Sequence, residues 1–285
     1  MKQKCNSCDG IYNTSLDVRF TKSCPNNCEF CIEHAGIGAL PKASVEEMIA
    51  STIASQKSTV LILGGEPCED LERLFAYVKG IYSYVDKVYI TTSIPRTMEE
   101  IPQILQDIME WTNGINVSVH SGDWRENNRI FRNLKDMEFN RLNVLKQLNQ
   151  LFPEKVRVNL NLIRGGLDTK EKIDRTLNLL FDTYLCRNIK IQELQHAPDL
   201  YVSYEKVMRL SLPSPYAHGC QTKVVWQEGY PEITLKRSCF FVERSLEASW
   251  ADLLKFGTRL LRPQRSSCTV LYENAELSQG WKMGA

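Results

Sequence analysis

The sequence lacks the features that would place the chain in a membrane, in a secretion pathway or on a nucleic acid. No run of about 18 apolar residues is present, so no membrane span is expected. Met1 to Cys5 lead into polar residues, without the apolar core of a signal peptide. The 35 basic and 34 acidic residues leave a net charge of +1 with no polybasic run, so charge does not indicate a nucleic-acid partner. These absences predict a cytoplasmic protein.

Ten cysteines are present, and in a cytosolic protein cysteines are more often metal ligands, reactive thiols or small buried residues than disulfides. Three of them, Cys24, Cys28 and Cys31, lie within eight residues at C-x3-C-x2-C spacing. Iron–sulfur cubes are commonly held by four cysteines, and a structural zinc ion also takes four ligands. Three thiols without a fourth nearby therefore predict a cluster with one iron left open for another ligand.

Three other interpretations of this loop were weighed: a zinc knuckle, a thioredoxin-like Cys28–Cys31 pair, and a disulfide. A redox pair does not need Cys24, and a zinc knuckle needs a fourth ligand at regular spacing. The cluster is therefore the favoured hypothesis.

Apolar, β-branched segments alternate with amphipathic ones, which predicts βαβ units and a parallel sheet. The predicted strands are Leu16–Phe20, Thr59–Leu63, Lys87–Thr92, Ile115–His120, Val156–Ile163 and Asn188–Leu194. The predicted helices are Ser44–Gln56, Asp70–Tyr84, Thr97–Trp111, Asn128–Leu151 and Thr169–Tyr184. Six such units come close to the roughly 30 residues per unit of a βα barrel. A doubly wound sheet is the alternative, and in either fold ligands bind at the carboxyl ends of the strands.

The pattern changes after residue 196, where prolines interrupt it. A β-hairpin and a helix are predicted there, over Thr222–Trp226, Ile233–Arg237 and Ser249–Leu261. We expect an extension that packs on the barrel. The expected division is an N-terminal segment, a barrel and a C-terminal extension, over residues 1–15, 16–196 and 197–285.

A second motif, Gly64-Gly65-Glu66-Pro67, follows the second predicted strand. Paired glycines at a strand end let the backbone approach a ligand closely, because no side chain intervenes. Exposed backbone groups and Glu66 could then receive an ammonium group. Alone, the motif is also typical of an ordinary turn before a helix. Placed about one βα unit after the three cysteines, it indicates a cofactor site.

Together the two motifs resemble those of the radical SAM superfamily. The resemblance implies an α/β fold, a partial (β/α)6 TIM-like barrel, here with a C-terminal extension containing a β-hairpin and a helix. It implies a 4Fe–4S cluster on Cys24, Cys28 and Cys31 whose open iron chelates S-adenosylmethionine (SAM). It also implies that Gly64–Pro67 contacts the methionine amino group, and Phe30 occupies the family's usual aromatic position.

Further SAM contacts are implied at the ends of the fourth and fifth strands. Ser118 ends the fourth strand, and Asn159 and Asn161 share one face of the fifth because side chains alternate along a strand. The alternative is that the asparagines satisfy each other or nearby backbone. The resemblance further implies an oxygen-sensitive enzyme that cleaves SAM reductively to a 5′-deoxyadenosyl radical. That radical abstracts hydrogen from a substrate, and a flavodoxin or ferredoxin supplies the electron.

Basic residues near the barrel mouth favour an anionic substrate. Arg125 and Arg129 lie on one face of a helix that would begin after the fourth strand, and Arg164 follows the fifth. Arginine binds carboxylates and phosphates bidentately, although a solvated helix face is the alternative. His120 and His196 end strands four and six, where a lone histidine is more often structural. The prediction is a nucleotide or another anionic small molecule.

Other functions remain open at this point. Between Asn116 and Glu193 the layout resembles the GTP-cyclising enzymes of molybdenum-cofactor synthesis, but their C-terminal double glycine is absent. A peptide- or protein-modifying enzyme, or one that activates a glycyl-radical partner, is the alternative within the class. Only about fifteen residues precede the first strand, which disfavours a leader-binding domain. An iron–sulfur electron carrier or binder that retains the fold would not need Gly64–Pro67.

A second metal site is predicted from cysteines outside the cluster loop. The candidates are Cys5, Cys8, Cys220 and Cys239. The last two flank the predicted hairpin symmetrically about its turn, so an in-register hairpin would bring them face to face. They could hold zinc or an auxiliary iron–sulfur cluster. Buried thiols without a ligand are the alternative.

Overall fold

The computed structural model describes residues 14–34, 36–133, 137–194, 197–208, 221–238 and 268–283, which form a ten-stranded sheet with helices between successive strands. Strands β1 to β10 are Ser15–Arg19, Thr59–Leu63, Lys87–Thr92, Gly114–Ser118, Val156–Leu162, Ile189–Glu193, Gln221–Val225, Glu232–Lys236, Thr269–Leu271 and Leu277–Gln279. Helices α1 to α7 are Val45–Ala54, Leu71–Ile81, Gln103–Glu110, Trp124–Phe131, Arg141–Leu151, Lys170–Asn178 and Tyr204–Met208. None of these helices is long and apolar enough to cross a lipid bilayer.

Six parallel strands in chain order form the centre of the sheet. β1 to β6 pair successively in parallel, so each pair is joined by a crossover connection. A doubly wound sheet would instead reverse its strand order at a switch point. β8 adds in parallel to β6 and β9 in parallel to β1, while β7 and β10 form the two antiparallel edges. The sheet is therefore open over the described residues, which confirms the predicted partial barrel.

Side chains alternate between a face packed under the helices and an inner face. On β5 the valines and leucines are buried, whereas Arg157, Asn159 and Asn161 are half-buried on the inner face. Strand register places further polar side chains on the same face: Asn116, Ser118, Lys190, Gln192 and Thr234. Barrel interiors are usually filled by branched apolar residues. The inner face of this sheet is instead largely polar from β4 to β8, whereas register places Leu61, Leu63 and Tyr89 on the same face of β2 and β3.

The helix predicted over Asn128–Leu151 is wrong, because the chain forms two helices there. Helix α4 ends at Phe131, since Arg132 takes a left-handed conformation with φ of 51° that an α-helix does not continue through. Helix α5 begins only at Arg141, with the Asn140 side chain capping its first turn. The break matters for the site, because it lets Phe131 and Arg141 both reach the cysteine loop.

The helix predicted over Thr97–Trp111 is shorter than expected. Glu100 and Ile101 have positive φ values of 64° and 47°, so the helical conformation stops there. Helix α3 begins after Pro102, at Gln103. Proline fits a helix start because its missing N–H group would have no partner in the first turn.

The C-terminal part of the chain adds strands to both ends of the sheet. The predicted hairpin is confirmed, with both strands one residue earlier than expected. Strands β9 and β10 were not predicted, and the helix predicted over Ser249–Leu261 lies outside the described residues. The predicted division at residues 15 and 196 stays a prediction.

Arg19, at the end of β1, joins the residues after the cysteine loop to the C-terminal strands. Its side chain is 1% exposed, and its Nε lies 3.2 Å from the Glu33 carboxylate and 3.5 Å from that of Glu273. Its Nη2 donates to the carbonyl oxygens of Ile37 and Gly38 at 3.3 and 3.1 Å. Burial raises the pKa of Glu33, and the Arg19 charge opposes that rise. A buried charge is tolerated when it is paired in this way.

Replacing Arg19 by methionine should therefore lower the free energy of unfolding by about 3–5 kcal/mol, because it leaves two carboxylates buried without their cation. Urea unfolding of the purified protein measures this change. Arg96→Met is the matched control, since Arg96 pairs with Glu99 at the surface with side chains 63% and 49% exposed. Its loss should cost less than about 1 kcal/mol. Equal costs for the two variants would contradict the account.

Candidate cluster and cofactor site

The cysteine loop follows β1 at the carboxyl edge of the sheet. Cys24 lies at the loop surface, whereas Cys28 and Cys31 are half-buried. The loop is held against the end of α4, because Asn27 N–H donates to the Phe131 carbonyl at 2.9 Å. The Cys28 thiol contacts the same carbonyl oxygen at 3.7 Å. The sequence placed this loop correctly, but the contact with Phe131 depends on the helix break that it did not reveal.

The three thiols lie within electrostatic reach of one another. Desolvation raises the pKa of all three, that of Cys24 to about 12. The charge of Cys31 further raises the pKa of Cys24 and of Cys28. The thiols are therefore protonated in the absence of metal, and a metal centre would displace their protons because it binds thiolates.

This donor set fits an iron–sulfur cluster. In the described ranges, no three His, Cys, Asp or Glu side chains surround a single metal-ion position. That finding does not bear against a cluster, because each thiolate of a cluster binds a different iron atom. Three thiols on one loop supply three of the four ligands that a cube takes.

The two glycines of the second motif hold the cysteine loop by backbone contact. Gly64 and Gly65 have φ values of 82° and 54°, which glycine adopts without strain. A Cβ on Gly64 would lie 2.7 Å from Arg19 Cγ, and one on Gly65 would lie 2.3 Å from the Ser23 carbonyl oxygen. Glu66 N–H donates to the same Ser23 oxygen at 2.8 Å. Both motifs therefore form one packed unit.

The Glu66 carboxylate is committed to the protein. It is 1% exposed and accepts four hydrogen bonds. One oxygen accepts from Cys68 N–H at 3.1 Å and from Thr92 Oγ1 at 2.7 Å. The other accepts from the N–H and hydroxyl of Ser93 at 2.7 and 2.6 Å. A carboxylate offers about four acceptor sites, so these donors occupy them all. The prediction that Glu66 contacts SAM is not tested by these contacts, which give it a structural task.

A polar network that the sequence did not reveal extends from Glu66 to the cysteine loop. Asn26 donates to Ser93 Oγ at 2.6 Å. Arg141, 1% exposed, donates to the Ser93 carbonyl at 2.9 Å and reaches the Asn26 side chain at 3.4 Å. Its charge partly offsets the effect of burial on the pKa of Cys28. A cation therefore lies beside the loop, held by contacts far apart in sequence.

His120 is buried as a neutral side chain. Burial, with the Arg141 charge as the second cause, lowers its pKa to about 3. Its ring lies 4.9 Å from that of Phe30 and 5.0 Å from that of Phe131. Nδ1 accepts from the Asn161 N–H at 3.3 Å, so the ring proton is assigned to Nε2. His120 and Phe30 thus pack together, and their predicted ligand roles stay predictions.

The three polar residues predicted to contact SAM lie together on the inner face. Ser118 pairs in register with Asn159, and Asn161 is two residues further along β5. Asn161 Oδ1 accepts from Gln192 at 2.6 Å, which removes part of its capacity for a ligand. Asn159 Oδ1 is buried and accepts no hydrogen bond from the residues that the structure describes. Of these three residues, Asn159 is the one whose unpartnered side-chain oxygen most favours contact with a ligand.

No contact between described residues joins the predicted substrate arginines. Arg125, Arg129 and Arg164 are all exposed, and Arg125 lies over the Trp124 ring at 4.3 Å. His196 lies outside the described residues. The substrate role of these side chains therefore stays a prediction that no contact supports.

Asp17, which the sequence did not single out, faces the sheet interior on β1. Burial raises its pKa to about 6, while a hydrogen bond from Trp281 and the charge of Lys236 oppose the rise. Lys236 belongs to β8, so charged side chains on two distant strands interact electrostatically across the inner face.

The predicted second metal site cannot be placed, because its cysteines lie outside the described residues: Cys5, Cys8, Cys220 and Cys239. The described hairpin pairs Gln221 with Lys236 and is centred between Glu228 and Gly229. The sequence predicts a centre between Gly229 and Tyr230, midway between the two hairpin cysteines, so the predicted centre is wrong by one residue. The face-to-face arrangement of the two hairpin cysteines stays a prediction.

An open parallel barrel with three thiols and a glycine-rich motif at neighbouring strand ends defines a class of cofactor-dependent α/β enzymes. A model of the radical SAM superfamily matches residues 18–180, more than half of the chain. The chain belongs to the radical SAM superfamily and is an enzyme of that superfamily. Membership implies a 4Fe–4S cluster and SAM. A search of curated proteins found no significant match.

Solved structures show the same fold at low sequence identity. Streptococcus suis SuiB bound to its precursor peptide SuiA is 17% identical with a TM-score of 0.50, over 64% of this chain and 39% of that one. A radical SAM methyltransferase from Sphaerobacter thermophilus is 17% identical with a TM-score of 0.54, over 79% and 65%. TYW1 with a lysine–pyruvate adduct is 15% identical with a TM-score of 0.52, over 81% and 83%. The chain spans about two fifths of SuiB and just under two thirds of the methyltransferase.

Gly65→Ala should prevent the cysteine loop from packing, because its Cβ would meet two carbonyl oxygens, those of Ser23 at 2.3 Å and Thr21 at 2.6 Å. Gly165→Ala is the matched control, since Gly165 also has positive φ, 83°, but nothing lies within 4 Å of a Cβ there. The control should cost about 1–2 kcal/mol of unfolding free energy through its backbone alone. Gly65→Ala should cost more and retain less iron after reconstitution. Equal stability and equal iron content in the two variants would contradict the packing role.

Proposed function

We propose that this radical SAM enzyme holds its cluster on Cys24, Cys28 and Cys31, cleaves SAM reductively and acts on an anionic small molecule. The observation that carries the proposal is the junction of the two motifs. Glu66 N–H donates to the Ser23 carbonyl beside the first cysteine, and Gly65 leaves no room for a side chain against the same oxygen. Two segments that are about 40 residues apart in sequence thus form one surface at the carboxyl edge of the sheet.

A bound cluster would supply the electron that cleaves SAM into methionine and a 5′-deoxyadenosyl radical. The chain's own groups would bind and orient the cofactor. The carbonyl oxygens of Gly64 and Gly65 accept no hydrogen bond from the described residues, so they have acceptor capacity for an ammonium group. This supports a backbone contact to the methionine amine, with Glu66 holding the loop that presents it.

The aromatic cluster beside the loop would exclude water. Phe30 packs on His120 and against buried Ile163 and Leu194. Because His120 is neutral at physiological pH, this wall carries no charge that would attract water. Excluding water protects a reactive intermediate from side reactions.

The same geometry supports a proposal for the substrate and the partners. The polar inner face supports a small, polar, anionic substrate over an apolar one. The exposed position of Cys24 supports reduction by an external electron donor such as flavodoxin or ferredoxin, because it places one cluster ligand at the protein surface. A cytoplasmic location belongs to the same proposal.

The test is anaerobic reconstitution of the full chain, followed by dithionite and SAM. The wild type should bind about four iron atoms in the loop. It should form 5′-deoxyadenosine. Cys28→Ser should reduce 5′-deoxyadenosine to the level of a protein-free control. Cys186→Ala is the matched control. The Cys186 side chain is buried, with only 3% of its surface exposed, and it is hydrogen-bonded to Asn149, away from the loop. That variant should retain both iron and SAM cleavage.

A cluster that assembles in the wild type without SAM cleavage would contradict the proposal and favour an electron carrier. Cleavage that survives in Cys28→Ser would contradict the assignment of the ligands.

A further inference from the structure

A cleft of about 450 Å³ opens on the inner face of the sheet, away from the cysteine loop. Its size lies within the range of about 300–1,000 Å³ for small-molecule sites. It is formed by β5, β6, β7 and β8 and the turns that precede β6 and β8. The lining residues are Arg157, Arg187, Asn188, Lys190, Gln221, Lys223, Pro231, Glu232 and Thr234.

The cleft is strongly basic. Four of its side chains are cationic, those of Arg157, Arg187, Lys190 and Lys223, and one is acidic, that of Glu232. Lys223 lies 3.9 Å from Glu232, and both side chains are more than half exposed. Such surface pairs contribute little and leave the local charge available to a ligand. Arg187 likewise pairs at the surface, with Glu154 at 3.4 Å. The cleft lining therefore has more basic than acidic side chains, in a protein whose net charge is only +1.

Arg157 is the cation that the protein itself does not satisfy. Its Nε is buried and has no hydrogen-bond acceptor among the described residues. No described carboxylate forms an ion pair with it. Burial lowers the pKa of its guanidinium, and only the nearby Tyr89 opposes that effect. A half-buried cation with one buried, unpartnered donor is less well satisfied than in water, and an anion bound beside it would accept from that donor.

A second unpartnered atom lies on the same strand. Asn159 Oδ1 is buried without a donor among the described residues and sits two positions beyond Arg157 towards the carboxyl edge. Asn159 pairs in register with Lys190, another lining residue. Two unsatisfied polar atoms on one strand, in an interior that would ordinarily be apolar, point to a ligand that completes both.

The cleft lies near the amino-terminal ends of β5, β6 and β8, on the face that also has Asn159 and Asn161 further along β5. Arg157 lies near the start of β5, and Asn161, near its end, is four residues further along. At about 3.3 Å per residue the two positions are about 13 Å apart. A molecule whose anionic group is held near the amino-terminal end of β5 would therefore extend along the strand towards the carboxyl edge, where the cysteine loop lies.

We propose that this cleft binds the carboxylate or phosphate group of the substrate between Arg157 and Lys190, with Asn159 contacting the part nearer the cofactor. This inference rests on the proposed function, since it names the group by which that function's substrate is recognised. The predicted substrate role of Arg125, Arg129 and Arg164 stays a separate prediction, because these exposed side chains are not among the residues that line the cleft.

The test measures anion binding directly, by calorimetric titration of the reconstituted protein under anaerobic conditions at constant ionic strength. The probes are inorganic pyrophosphate and citrate, which separate a phosphate site from a carboxylate site. At least one should bind the wild type, and Arg157→Gln should weaken it at least about tenfold through loss of a charge-assisted hydrogen bond. Arg157→Lys should restore part of the affinity, because it keeps the charge without the fork of donors.

Arg175→Gln is the matched control, since Arg175 is exposed on α6 outside the cleft. It should bind the probe as the wild type does. Lys190→Gln carries the test if Arg157→Gln does not fold, and circular dichroism establishes that. No binding by the wild type, or equal binding by the cleft variants and Arg175→Gln, would overturn the inference.

The same samples separate this inference from the proposed function. SAM cleavage by the wild type without anion binding would contradict only the assignment of the cleft. Anion binding that depends on Arg157, without any SAM cleavage, would support the assignment of the cleft and contradict the proposed function.

Discussion

The buried carboxylate of Glu66 is the constraint on which the site depends. Three of its four hydrogen bonds tie the end of β2 to Thr92 and Ser93 at the end of β3, and it accepts the fourth from Cys68 N–H. Ser93 then accepts from Asn26 in the cysteine loop, so the loop's position follows from a charge on the next strand. Charge-assisted hydrogen bonds inside a protein are stronger than neutral ones, and each lost partner leaves a buried group unsatisfied. These contacts thereby position the loop that carries the three thiols.

Buried and half-buried charged side chains lie at two depths of the sheet. The carboxyl edge has Glu66 and Arg141, a pair of opposite sign, both buried and both used to hold the cysteine loop. The inner face near the amino-terminal ends of the strands has Arg157, whose Nε has no hydrogen-bond acceptor among the described residues. The first pair holds the cysteine loop, and Arg157 is the residue to which the proposed anion site assigns a ligand.

Local patterns allowed much of this structure to be predicted from the sequence, and distant contacts did not. Six strands, the cysteine loop and the glycine motif follow from spacing and periodicity within short windows. Strands β9 and β10 have three residues each, too few for a period of two to be detected. The helix break at Arg132 carries no glycine or proline to signal it. The contacts of Asn26 with Ser93 and Arg141 join residues 67 and 115 positions apart, so no local pattern contains them.

The central claim is that the buried Glu66 carboxylate holds the cysteine loop in place through its hydrogen bonds with Thr92 and Ser93. The most direct measurement is the iron retained per chain by Glu66→Gln after reconstitution and desalting, beside Glu72→Gln on the exposed face of α2. The glutamine amide would place its NH2 group, a hydrogen-bond donor, against groups that themselves donate to the Glu66 carboxylate. The account predicts that Glu66→Gln loses most of its iron while Glu72→Gln retains the wild-type content. Full iron in Glu66→Gln, with only the affinity for SAM reduced, would contradict it.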